Sequence, residues 1–374
     1  MLHELEADQF ERVRPLFNAF DHKLSLFAAI EGNNPGRILV DDADRPRTAL
    51  ALTVEGYLLA GKHDNPATNT ALGRFLRDKI FSGQIYVGSD THMSLAVYPE
   101  GWEARLPELI PTHEVEKIKS YHYLCRKVGL NWRQHLPDGY TVRRFDRALL
   151  DDPQIVFPGP VGEWTDFERS WWSVDNFLAK GASCYVLHGQ EVVSWCVSDC
   201  VAGDRIEVGI ITHPEHRRRG LAAAATAATV ELCLDLGFSA VGWHCDADNS
   251  PSWKTAEKVG FERERTYWDF YYIYDPIDHL AELGWYYYKR GDYARTVDYY
   301  GRVFAQRDEN PDYYYHLAAS AWALLGDGDK ALIYLQRAAD QGWSNAGYTR
   351  QQEEFEMLHG RPEWEAILEK MAAG

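Results

Sequence analysis

No part of this chain is apolar enough to cross a membrane as a helix. Its longest hydrophobic runs fall well short of the roughly 18 residues such a helix needs. The opening Met1-Leu2-His3-Glu4-Leu5-Glu6-Ala7-Asp8 lacks the basic start and apolar run of a secretory signal, so a cytoplasmic protein is expected. No two of the six cysteines, Cys125, Cys184, Cys196, Cys200, Cys233 and Cys245, form a C-x-x-C pair. A disulfide framework or zinc site would be more tightly spaced. Cys196 and Cys200 share a strand face, yet the set reads as reduced, buried thiols, and no metal is expected. Positive charge is in deficit, with 39 Lys and Arg against 56 Asp and Glu, for a net −17. That sign disfavours general nucleic-acid binding and docking on anionic lipid. An anionic ligand needs a locally basic island. Neither G-x-x-x-x-G-K-[ST] nor G-x-G-x-x-G occurs, which excludes the common P-loop and dinucleotide signatures. What remains is a 374-residue chain, 45% hydrophobic, with enough apolar material for two or three globular domains.

Three regions differ in texture. Residues 1–136 open with a helix-like stretch around Phe10–Phe20. A hairpin is predicted from Arg37–Val40 and Arg47–Val54 around a polar turn, then a helix over Asn69–Phe81 and a strand over Met93–Tyr98. Residues 137–275 follow the turn cluster Leu136-Pro137-Asp138-Gly139. A strand is predicted at Tyr140–Asp146, a loop at Ile155–Gly162 and a helix at Trp164–Lys180. A meander of strands at Ser183–His188, Glu191–Asp199 and Arg205–Thr212 comes next. Short strands joined by short turns imply antiparallel sheet. The pattern then alternates: helix Leu221–Leu236, strand Ala240–Cys245, helix Ser252–Val259. A parallel crossover beside the meander follows, so the middle region is mixed α/β.

Residues 276–374 repeat themselves. Gly291-Asp292-Tyr293 precedes Gly326-Asp327-Gly328 by 35 residues, and Tyr287, Tyr300 and Val303 align with Trp322, Leu335 and Ala338. The period and pattern resemble tetratricopeptide (TPR) repeats, with departures at Leu280 and Thr296. Glu353–Met371 is expected to supply a capping helix.

The sharpest local feature is His213-Pro214-Glu215-His216-Arg217-Arg218-Arg219-Gly220-Leu221-Ala222, a basic island between a strand and an alanine-rich helix. The start of that helix offers unpaired N–H groups and partial positive charge, and Gly220 permits close backbone approach. These parts suit a phosphate. They equally suit a solvated basic turn before an ordinary helix. The spacing Arg217-x-x-Gly220-x-Ala222 matches the Q/R-x-x-G-x-G/A motif of the GNAT acyltransferase superfamily. Asn249-Ser250-Pro251-Ser252, leading to Glu257-Lys258-Val259-Gly260-Phe261, looks like that family's second segment. The resemblance covers roughly residues 138–275. The Trp243–Phe261 run is similar to the zwittermicin-resistance type, in which a GNAT-like half precedes the catalytic one. Residues 1–136 would then be a degenerate half of α+β character.

The resemblance implies a GNAT fold and acetyl-CoA as acyl donor. It implies that the backbone of Ile210, Ile211 and Thr212 pairs with the pantetheine arm. The amides from Arg217 through Arg218, Arg219, Gly220 and Leu221 to Ala222 would hold the pyrophosphate, and Asn249 and Ser252 would seat the thiol end. As a simpler alternative for each, Asn249 or Ser252 only caps the next helix. An amine attacking a thioester must shed a proton, and Glu207 stands where many family members carry a carboxylate. Ala256 occupies the place of the family's proton-donating tyrosine, which leaves Ser252 as a poor substitute. Trp164, Trp171, Trp172 and Trp195 either line an acceptor pocket or pack the core. Glu163, Asp166 and Asp175 either draw a cationic amine or form solvated helix faces. Three functions follow: an N-acetyltransferase for a small amine such as an aminated natural product or antibiotic; a protein acetyltransferase recruiting its target through the repeats; and a non-catalytic CoA-binding scaffold.

Overall fold

The computed structural model describes residues 1–157 and 167–373. They form two units, one of residues 1–110 with 117–271, the other of residues 111–116 with 272 onward.

The first unit is built on one twelve-stranded sheet. Its strands are β1 (His3–Glu4), β2 (Gly36–Val40), β3 (Thr48–Thr53), β4 (Gly56–Gly61), β5 (His92–Tyr98) and β6 (Lys117–Cys125), then β7 (Tyr140–Arg144), β8 (Ser183–His188), β9 (Glu191–Ala202), β10 (Arg205–Thr212), β11 (Ala240–Asp246) and β12 (Glu262–Ile273). The order across the sheet is β1-β2-β3-β4-β5-β12-β6-β11-β10-β9-β8-β7. The arrangement repeats. In one half β2, β3 and β4 form an antiparallel meander, and β5 returns parallel to β4 after helix α2 (Pro66–Phe75). In the other, β8, β9 and β10 form the meander, and β11 returns parallel to β10 after helix α3 (Leu221–Asp235). Between the halves, β12 and β6 run antiparallel. A boundary after residue 136 therefore divides a single sheet, with β6 hydrogen-bonded to strands from the middle region on both sides.

Each half has an apolar core. Phe10, Val13, Phe17, Leu26, Ile38 and Leu58 cluster in the first. In the second, the alanines of α3 let it lie close on the sheet, against Val186, Trp195, Cys196 and Ile206. From Leu221 to Val230 this helix carries no charged side chain and is almost wholly buried; Glu231 and Asp235 come only in its last turns. Thr229, fully buried on it, accepts from the Cys184 amide at 3.0 Å and has the Cys196 carbonyl at 3.1 Å, so its hydroxyl is satisfied. Helix α1 (Leu24–Ile30) packs Leu24 and Ala28 against Cys200 and Ala202 of β9.

Some elements differ from the sequence reading. The stretch Ala7–Phe20 winds as 3₁₀ turns, with Pro15 inside it withholding one amide donor. The helix expected at Asn69 starts at Pro66, because the Asn65 side chain accepts from the Ala67 and Thr68 amides. In the described part of the helix predicted over Trp164–Lys180 stand two short ones, Phe167–Trp171 and Val174–Lys180, broken where Trp172 adopts φ 60 and Ser173 caps the second. Trp164, Glu163, Asp166 and the end of the predicted Ile155–Gly162 loop lie outside the described residues. Strands β6 and β12 were not foreseen.

The second unit is helical: α4 (Pro276–Lys289), α5 (Tyr293–Gln306), α6 (Asp312–Leu324), α7 (Gly328–Asp340) and α8 (Pro362–Ala373). The repeated Gly-Asp pairs make the same turn twice. Gly291 and Gly326 sit at φ 77 and 83, left-handed geometry that glycine adopts without strain. Asp292 and Asp327 then cap the next helices through the Arg295 and Lys330 amides. The predicted capping helix divides into a 3₁₀ segment, Glu353–Leu358, and α8. No described helix is long and apolar enough to cross a membrane.

Candidate active site

Strands β10 and β11 pair only from Arg205 with Ala240 to Glu207 with Gly242. A bulge interrupts the β10–β9 register between Glu207 and Val208. A bulge bends its strand, and beyond this one β10 stays with β9 through Thr212 while β11 stays with β6 through Asp246. The sheet forks here, and among the described residues the edge of Ile210–Thr212 that faces β11 has no strand partner.

The fork opens into a cleft of about 690 Å³, within the range of small-molecule sites. Ile210, Ile211 and Thr212 line one wall; Trp243, Asn249 and Ser252 line another. Arg217, Arg218, Gly220, Leu221 and Ala222 close its end. The loop is held in a set shape. Arg218 and Gly220 both take left-handed φ, 61 and 82. Arg217 Nε donates to the Thr212 carbonyl at 3.1 Å. Arg219 is not among the lining residues; it donates from Nη1 to Tyr140 Oη at 2.8 Å and from Nη2 to the Glu215 carbonyl at 3.2 Å. Among the described residues no side chain caps the start of α3, so its first amides have no side-chain acceptor there.

Helix α9 (Ser250–Val259) flanks the cleft. Asn249 caps it by accepting from the Ser252 amide at 3.2 Å, and Ser252 Oγ accepts from Trp243 Nε1 at 3.1 Å. Burial pushes the neighbouring Cys245 thiol up to about 11, against a hydrogen bond from Ser252. Ala256 is wholly buried in the core. Trp171 and Trp195 are core residues too, with Trp171 donating to the Ser198 carbonyl at 3.1 Å. Trp172 is half exposed, and Asp175 pairs with Arg147.

Glu207 stands at the fork, 2% exposed. Gly242 makes room for it: a Cβ there would lie 2.6 Å from Glu207 Cγ. Its Oε1 is 3.1 Å from His244 Nε2 and 3.4 Å from His122 Nε2, while Oε2 is buried without a hydrogen-bond partner. His244 and His122 are cross-strand neighbours on β11 and β6, with rings stacked at 4.6 Å. Tyr267 Oη lies 2.9 Å from His244 Nδ1, and Glu264 lies 2.9 Å from His122 Nδ1.

Charge is concentrated here. Burial raises the carboxyls of Glu55 and Asp199, and the nearby Glu207 charge raises them further: Glu55 well above its ordinary value, Asp199 to about 7. Burial acts on Glu207 in the same direction, but the two imidazoles outweigh it and hold its carboxyl below the usual range. Burial lowers His244, against the Glu207 charge. Carboxylate and imidazole atoms of His122, Glu207 and His244 lie within 4.8 Å of one another, as do those of Glu55, Cys200 and Glu207, spacings that a metal ion would also use. The sequence reading missed His122, His244, Glu55, Asp199 and Tyr267. They come from four different strands, β6, β9, β11 and β12, and from the β3–β4 turn, and only the sheet order brings them together.

A family model described as GNAT acetyltransferase matches residues 14–270. Over 275 residues the chain is 24% identical to a protein named Uncharacterized N-acetyltransferase YdfB from Bacillus subtilis (strain 168), a match covering 72% of this chain and 98% of that one. A shorter match, 31% over 113 residues, is to a Mycothiol acetyltransferase from Pseudarthrobacter chlorophenolicus, covering 29% of this chain and 33% of that protein. Among solved structures, a GCN5-related N-acetyltransferase-like protein from Streptococcus suis 89/1591 superposes with TM-score 0.52 at 25% identity, covering 71% of this chain and 98% of that one.

Proposed function

We propose, for a chain that belongs to the GNAT acetyltransferase family and is an N-acetyltransferase, that it moves the acetyl group of acetyl-CoA to the primary amine of a small molecule, such as an aminated natural product or antibiotic. The observation that carries this reading is the fork. Its cleft joins an uncapped helix start to a strand edge, and the buried Glu207 and His244 stand where β10 and β11 are still paired, next to the cleft rather than among its lining residues.

In this reading acetyl-CoA supplies the acyl group. The amides from Arg217 to Ala222 hold its pyrophosphate, with Arg217 and Arg218 adding charge-assisted bonds. Arg219 acts as a positioning residue, since its guanidinium braces the loop. Ile210–Thr212 presents backbone to the pantetheine, and its N–H groups polarise the carbonyl. Asn249 and Ser252 set the other wall. Glu207 is the base of this reading, and because the imidazoles hold its own carboxyl low, the amine proton passes to the Glu207–His244 pair as a unit rather than to the carboxylate alone. Ala256 leaves α9 with no proton donor at that place, so the thiolate departs without one from there.

Two architectural readings belong with this one. We take the repeated meander and crossover in the two halves of the sheet as tandem GNAT-like halves of the zwittermicin-resistance type. The paired helices with matching Gly-Asp turns we take as TPR-like.

Titration calorimetry with acetyl-CoA and with CoA tests the cofactor site. The wild type is expected to bind in the micromolar range, and Gly220→Glu to lose binding. A Cβ at Gly220 meets nothing within 4 Å, so that loss would report charge and left-handed backbone strain rather than a clash. An acceptor screen by thiol release then tests the amine class. No binding to the wild type, or turnover of protein substrates alone, overturns the proposal.

A further inference from the structure

The helical unit contains a groove of about 450 Å³ that belongs to neither the fork nor its chemistry. It is lined from α4, α5 and α6 and from the segment 343–352. Its walls are aromatic: Trp285, Tyr288, Tyr313, Trp343 and Tyr348, of which Trp285, Tyr313 and Tyr348 are 36%, 46% and 51% exposed. Large aromatics left open together on one concavity point to a ligand.

The charge of the groove says which ligand. Among its described lining residues Glu282 is the one carboxyl side chain and none is Lys or Arg, while burial pulls the His316 imidazole down to about 4. A second carboxylate, Glu354, stands behind the wall, receiving Tyr288 Oη at 3.3 Å and Gln352 Nε2 at 2.8 Å. The ring faces are negative by their quadrupoles and attract cations. Trp285 shows this within the chain: Lys289 Nζ stands 5.4 Å from its ring centroid.

Among the described residues two lining atoms are buried without a hydrogen-bond partner, Tyr300 Oη and Gln352 Oε1. Tyr300 is only 1% exposed. Leaving such groups unsatisfied is costly. A purely apolar occupant would leave both unsatisfied, and an anion would meet Glu282. An ammonium with N–H donors serves Gln352 Oε1 and Glu282 while its carbon body covers the rings. The volume is that of a small-molecule site.

We infer that this groove binds a small primary ammonium compound with an apolar body, held by cation–π contact with Trp285 and by the Glu282 carboxylate. The inference does not depend on the acetyl-transfer reading, and its test omits acetyl-CoA. Calorimetry of the full chain at pH 7 compares protonated 2-phenylethylamine with the neutral 2-phenylethanol. The amine is expected to bind saturably and at least fivefold more tightly than the alcohol. Trp285→Ala and Glu282→Gln are each expected to weaken the amine about fivefold while melting as the wild type does. Equal affinity for amine and alcohol overturns the inference, as does unchanged amine affinity in both Trp285→Ala and Glu282→Gln. A lysine-containing tetrapeptide that binds tighter than the amine would assign the groove to a protein segment and overturn it as well.

Discussion

Gly242→Ala tests the base without touching it. The glycine pairs with Glu207 across β10 and β11, and an added Cβ would stand 2.6 Å from Glu207 Cγ and 2.7 Å from Oε1. Contacts under 3.0 Å do not persist, so the buried carboxylate must move. Gly242 has no left-handed φ, so alanine adds no backbone strain of that kind. Overpacking of this kind costs about 1–3 kcal/mol of stability. The displacement required is several tenths of an ångström or more, enough to disrupt a 3.1 Å contact with His244. Positioned acid–base groups contribute about 10²–10⁴-fold to rate, so kcat is expected to fall by about 10²-fold. The cofactor wall is not altered, and the Kd for acetyl-CoA should stay within about twofold. Calorimetry gives the Kd, and thiol release at saturating acceptor gives kcat. Combining Gly242→Ala with Glu207→Gln supplies the control. If both act through one carboxylate, the double variant should be scarcely slower than Glu207→Gln alone. A Gly242→Ala enzyme with wild-type kcat would refute the assignment of Glu207, and independent multiplication of the two losses would refute their coupling.

Removing the Tyr140 hydroxyl by Tyr140→Phe takes away the acceptor of Arg219 and should weaken acetyl-CoA about threefold to tenfold in calorimetry; Arg219→Ala should do the same, and the pair together little more. Restoring the family's tyrosine by Ala256→Tyr should not raise kcat, because Ala256 is wholly buried; the phenol should overpack the core and lower the melting temperature by several degrees. Stability should also depend on Asp199. Its folded value of about 7 exceeds its ordinary 3.8, so the folded state retains a proton that the unfolded state has lost between those values. That stabilising contribution is complete below about 3.8 and is lost as pH rises through about 7. Thermal melts of Asp199→Asn across this window should be flatter with pH than those of the wild type, and parallel curves would remove Asp199 from the account.

Local chemistry was legible in the sequence, and its assembly was not. The loop from Arg217 to Ala222 and the helix after it could be read because strand, glycine and helix former are contiguous, and these residues, Arg219 excepted, line the cleft. The helical unit was legible for the same reason, through Gly-Asp turns repeated along the chain. The fork depends on a one-residue bulge after Glu207, which leaves no compositional trace. The cluster around Glu207 joins residues of β6, β10 and β11 with Glu55 from the β3–β4 turn, and β6 went unrecognised because its lysines and tyrosines break a clean alternation. The two halves of the sheet make the limit plain. Both place a crossover helix after the third strand of a meander, yet they present different helix starts. In α2 the Asn65 side chain already accepts from the Ala67 and Thr68 amides, so those donors are taken. In α3 no side chain does this, and three arginines stand just ahead of it. An anion is therefore drawn to one half by free donors and positive charge, and meets in the other a helix whose first amides are already satisfied.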